Sequence, residues 1–234
     1  MQEEEPSITP ERFSQGRTFP EYLDHLGSEA NLRREGSDGG TRRDFSEFFR
    51  ARYEATRLTE AQVEGLQWLS GRPDGPAKLL VIAEDWSSDC RRDVPTLARI
   101  AETARLELRI FDRDGQRTAH MHPDRSAEPD ANVDLMTQFV NHKNGEAFQS
   151  IPVAAFFTED FQYLYHYTEY PAIYQKDMLL DHIRAAQPGE TPQEAQGRFS
   201  QEFAGLQASP FFDVWASAAV DEIISGLHRR LAYV

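Results

Sequence analysis

The sequence predicts an α/β fold, and three observations predict it. Leu79–Ala83 is an unbroken apolar run containing Val and Ile, which suits a central strand buried on both faces. Beyond two acids and a Trp, Ser87 supplies an N-cap hydroxyl, and Val94, Leu97, Ala98 and Ala101 then follow at helical spacing. A second apolar run, Val153–Phe157, follows Ile151-Pro152 and leads through the polar Thr158–Asp160 into an alternating segment, Phe161–Thr168, the pattern of an antiparallel hairpin. Helical patterns fill much of the chain on either side.

In chain order, residues 1–17 are polar, carry Pro6 and Pro10, and are expected to be flexible. A helical extension spans 18–74. Phe19–Leu32 reads as one helix with Phe19, Tyr22, Leu23 and Leu26 on a common face. The glycine-rich Glu35–Thr41 is a loop. Asp44–Thr56 is a second helix whose Phe45, Phe48, Phe49 and Tyr53 are core candidates. Thr59 opens a third, with Gln62 at capping-box spacing and Val63, Leu66 and Leu69 as its stripe.

The α/β core is placed at 75–187. After the helix begun by Ser87, Leu106–Phe111 is a strand, and Arg113–Asp130 is a long polar loop holding His120, Met121, His122 and Pro123. An H-x-H pair without a third ligand does not make a metal site, and no metal is expected. Val133–His142 reads as helical, with Leu135, Met136, Phe139 and Val140 packed. In Phe161–Thr168, Tyr163, Tyr165 and Tyr167 alternate with Leu164 and His166, so the phenols are expected on one face. Ile173–Ala185 is a helix. The last segment, 188–234, holds two more, Thr191–Leu206 and Phe212–Leu231. The final one is amphipathic through Val214, Trp215, Ala218, Ile223, Ile224, Leu227 and Leu231, lacks a heptad repeat, and is expected to dock on the core.

Composition narrows the function. The net charge of −14 argues against a nucleic-acid binder, which needs cations to displace phosphate counterions, and against adsorption to anionic membranes. No apolar run approaches the ~18 residues needed to span a bilayer. The first residues lack the basic and apolar regions of an export signal. A single cysteine permits no intramolecular disulfide and suits a reducing cytoplasm.

The stretch Lys78–Pro95, K-L-L-V-I-A-E-D-W-S-S-D-C-R-R-D-V-P, carries the chemistry. It resembles the thioredoxin superfamily, in particular its bacterial branch with E-D-W-C-x-D-C at this turn. Trp86 precedes the turn, Cys90 stands at the second cysteine position, Pro95 lies five residues further on, and Ile151-Pro152 matches the family's Ile-Pro with its cis bond. The resemblance covers roughly residues 75–185. It implies a thioredoxin-like fold, a central mixed sheet flanked by helices, here with extra helices at both ends. It also implies a peptide groove formed by Trp86, Ser88, Asp89, Ile151 and Pro152.

Two departures weigh against the family's dithiol chemistry. The nucleophilic cysteine is Ser87, whose hydroxyl is far less acidic than a thiol and a poor partner for sulfur. The family's buried acid, five residues before the Trp, is Val81. Two readings follow. One is a thioredoxin-like module that binds a protein or peptide and runs no dithiol–disulfide cycle, with Ser87 capping a helix. The other is a monothiol oxidoreductase that uses Cys90 with glutathione or another external thiol. At Cys90, helix-end polarity with Arg91 and Arg92 favours thiolate, while burial with Glu84, Asp85 and Asp89 opposes it; the arginines are expected to point to solvent.

Overall fold

The computed structural model describes residues 5–119, 128, 131–143 and 145–232. His120, Met121, His122 and Pro123 lie outside them. At the centre is β1 (Lys78–Ala83), in which Leu79 to Ala83 are all fully buried. Each such side chain removed from water contributes about 1.5–3 kcal/mol, so this strand anchors the sheet. It pairs in parallel with β2 (Glu107–Asp112), to which it is joined by the long helix α6 (Ser88–Ala104). On its other side it pairs antiparallel with β5 (Val153–Phe157), and β5 pairs antiparallel with β6 (Tyr163–Thr168). The order is β2-β1-β5-β6. The mixed, helix-flanked sheet is the expected architecture.

Five helices precede β1: α1 (Pro10–Phe13), α2 (Phe19–Leu26), α3 (Glu29–Leu32), α4 (Ser46–Ala55) and α5 (Glu60–Ser70); α4 and α5 pack on α6, and α2 packs on α3, α4 and β2. Thr59 and Gln62 form the expected reciprocal cap at the start of α5. The last helix, α10 (Phe211–Ala232), docks on β6, α5 and α6, and one apolar core runs from Ile8 to Leu227. At the crossing of α10 and β6, Gly226 faces the Tyr165 ring so closely that an added Cβ would lie 2.4 Å from it. Glycine here sets how near the helix approaches.

Several expectations are corrected. Residues 5–17 are not loose: α1 (Pro10–Phe13) buries Phe13, and Arg17 exchanges backbone hydrogen bonds with Ile110 in β2. The expected helix 19–32 breaks at Gly27, because Ser28 caps a separate α3. Helix 133–142 is short: α7 (Val133–Met136) passes into a 3-10 turn, and Asn141–Lys143 (β3) forms a small hairpin with Glu146–Phe148 (β4). Helix 173–185 begins only at α8 (Lys176–Arg184), behind a left-handed Gln175. α9 (Pro192–Gln207) has no buried residue and lies along α8 and α10. Phe48 and Val214, expected in the core, are exposed.

Candidate functional site

The turn after β1 carries Glu84, Asp85, Trp86 and Ser87 into α6. The Ser87 hydroxyl accepts a hydrogen bond from the Cys90 backbone N–H at 3.4 Å, satisfying one of the helix's free donors. Cys90 sits one turn in, with no solvent exposure, and its sulfur accepts from the Glu84 N–H at 3.4 Å. Burial pushes its thiol well above the ordinary value, outweighing the hydrogen bonds from Glu84 and Ser87 that favour thiolate. Across the turn, Ile151-Pro152 is a cis peptide, and neither the N–H nor the C=O of Ile151 has a backbone partner among the described residues.

These residues border a cavity of about 410 Å³ whose wall includes Trp86, Ser87, Ser88, Asp89 and Ile151. Pro152 lies behind it, buried in the approach to β5. Phe203 and Gln207 of α9 close one side, so a terminal helix narrows the cavity without filling it. Val81, at the family's acid position, is a fully buried strand residue with no chemistry to offer.

Sequence reasoning missed the buried ions that fix this turn from two sides. Glu84 and Asp85 are buried against Arg42, whose Nη1 reaches Glu84 Oε2 at 2.5 Å and Asp85 Oδ1 at 2.8 Å. Arg34 donates to Glu84 Oε1 at 2.9 Å, the Asp114 N–H donates to the same oxygen, and Asn31 donates to Asp85. Complete burial, helped by the Asp114 and Asp112 charges, pushes the Glu84 carboxyl up to about 7 against the pull of Arg34 and Arg42. Asp112 moves the other way. Burial opposes its charge, but His25, whose Nε2 lies 3.1 Å from Asp112 Oδ2, and the Arg34 and Arg17 charges hold it well below the usual range.

On the other side, Arg92 does not point to solvent. It is 1% exposed and clamped by Asp89 and by both oxygens of Asp93, and Tyr167 donates to Asp93 at 2.8 Å. Lys176 bridges Asp89 at 2.5 Å and Glu169 at 3.0 Å, and Lys143 also reaches Glu169 at 2.9 Å. Glu169 holds a left-handed φ of 68°, uncommon for this residue type, beside the cavity. The three tyrosines of β6 do not share one environment: Tyr167 joins this cluster, Tyr165 lies under α10, and Tyr163 pairs with His166 Nδ1 at 2.6 Å. Burial lowers the pKa of His166. The i,i+3 spacing of Asp89 and Arg92 was the one local signal of the second cluster, and it went unread; the partners Tyr167, Glu169 and Lys176 are too distant in the chain to be read.

Among the described residues, no group of three or more His, Cys, Asp or Glu is placed to hold a metal ion, and no helix is long and apolar enough to cross a membrane.

A thioredoxin family model matches residues 41–187. No curated protein matches the chain significantly. Among solved structures, the chain resembles a protein of unknown function from Pseudomonas aeruginosa, 16% identical over 94% of this chain and 98% of that one, with a TM-score of 0.52. An HIV epitope scaffold aligns at 16% identity over 92% and 94% of the two chains, with a TM-score of 0.45. At such identity the first likeness concerns the fold alone. With a family match over more than half its length, on a mixed sheet whose central strand feeds the Trp86 turn, the chain belongs to the thioredoxin superfamily.

Proposed function

We propose that this chain is a thioredoxin-like binding module that holds an extended peptide in the groove between the Trp86–Asp89 turn and Ile151-Pro152, without running a dithiol–disulfide cycle. The observation that carries this reading is the pairing of an open cavity with an unreachable thiol: Ser87 faces the groove as a helix cap, and Cys90 is sealed behind it. The backbone of Ile151 is free to pair with an extended ligand, so affinity can come from main-chain hydrogen bonds with no redox step. The groove residues are Trp86, Ser88, Asp89 and Ile151, with the buried Pro152 behind them holding the turn.

The monothiol alternative, Cys90 exchanging with glutathione, needs a thiolate accessible to attack. Burial of Cys90 opposes both requirements.

Insulin reduction by dithiothreitol tests the reading. The native chain is expected to add nothing to the uncatalysed rate. Ser87→Cys restores a dithiol at the start of α6 and is expected to create catalysis. Catalysis by the native chain would overturn the reading, and an inert, folded Ser87→Cys protein would contradict the assignment of the groove.

A further inference from the structure

Most charged groups around the cavity already neutralise one another: Lys176 is held by Asp89 and Glu169, Arg113 by Asp114. Arg91, which also lines the cavity, differs. Its Nη1 donates to the main-chain carbonyls of Asp85 at 3.1 Å and Trp86 at 2.7 Å, and its guanidinium lies over the Phe45 ring at 4.5 Å. It makes no ion pair among the described residues, although the chain carries an excess of acids. Arg43 adds a second positive charge close enough to act on it, and likewise has no carboxylate partner among the described residues. The nearby acids are engaged elsewhere, Asp85 with Arg42 and Asp89 with Arg92 and Lys176.

The guanidinium is therefore fixed at one end by two carbonyls and on one face by an aromatic ring. Among the described residues, its remaining N–H groups have no acceptor. Such a group is ordered in advance and partly stripped of water, and a carboxylate is the ligand it fits best. We propose that Arg91 binds a carboxylate of the peptide held in the groove. This rests on the reading of the groove as a peptide site, and it adds the ligand's chemistry. The carboxylate belongs to an acidic side chain or to the end of the peptide.

The test is affinity selection in solution of a synthetic random hexapeptide library with free C-termini, on the full folded chain, with selected peptides sequenced. Each selected peptide is then compared with copies in which acidic side chains are replaced by their amides or the C-terminus is amidated. One of these copies is expected to bind at least ten-fold more weakly, which identifies the source of the carboxylate. Arg91→Gln is expected to lose about ten-fold for the charged peptide and to keep the neutral copy within about two-fold, the ten-fold corresponding to about 1.4 kcal/mol. If Arg91→Gln also loses the neutral copy, Arg91→Lys decides, and must still prefer the charged peptide. Peptides that bind equally well in all copies, or equally well to Arg91→Gln, would overturn the role of Arg91 and leave the groove standing. Selection of no peptide at all would overturn the groove reading and this inference with it.

Discussion

Ser87 and Cys90 lie one helical turn apart, and each has a structural occupation. The Ser87 oxygen satisfies the Cys90 N–H, and the Cys90 sulfur accepts from Glu84. Replacing Ser87 by Ala is expected to lower stability by about 1 kcal/mol, the usual value of an N-cap, read as a shift in the denaturant midpoint with unchanged slope. A midpoint equal to the native one would remove Ser87's role as cap. The cap was legible in the sequence because its partner is three residues away. The fate of Arg92 was not: adjacent arginines on a helix look solvent-facing, and only the approach of Tyr167 and Glu169 from β6 and its end encloses this one.

At the scale of elements, the segments with strong periodicity came through. Apolar runs gave β1 and β5, and the capping box gave α5, because burial on both faces and local caps leave direct marks on a sequence. The β3–β4 hairpin was invisible. Its strands are only three residues long, and Asn141–Lys143 extends a pattern that reads as helix. The break at Gly27 was also hidden within a continuous apolar spacing. The packing of α10 on β6 depends on Gly226. Gly226→Ala forces a methyl group into the Tyr165 ring, and the expected cost is about 1–3 kcal/mol, exceeding the ~1 kcal/mol that alanine gains in a helix. A chemical denaturation curve showing net stabilisation would contradict this packing.

For the whole molecule, the cavity's walls come from the turn after β1, the start of α6, Ser150 and Ile151 before β5, Lys176 of α8, and α9, so the cavity exists only when distant segments meet. The ions that brace it give the protein a pH signature. The folded state holds a proton on Glu84 up to about pH 7, whereas an unfolded Glu loses it near 4.5, so this group's contribution falls as pH rises through that window. The thermal midpoint is expected to drop between pH 5 and 7.5, and Glu84→Gln to reduce that drop; an equal drop in the variant would contradict the assignment. Asp112 acts oppositely: its stabilisation is present above the ordinary carboxylate range and is lost as pH falls below about 4. The central claim is that this thioredoxin-like protein has no working thiol, and alkylation of Cys90 with iodoacetamide against pH, native beside denaturant-unfolded, tests it most directly. The native thiol is expected to stay unreactive across neutral pH and to react only on unfolding. Rapid native reaction with an apparent pKa well below the ordinary value of about 8.5 would contradict it and return Cys90 to redox chemistry.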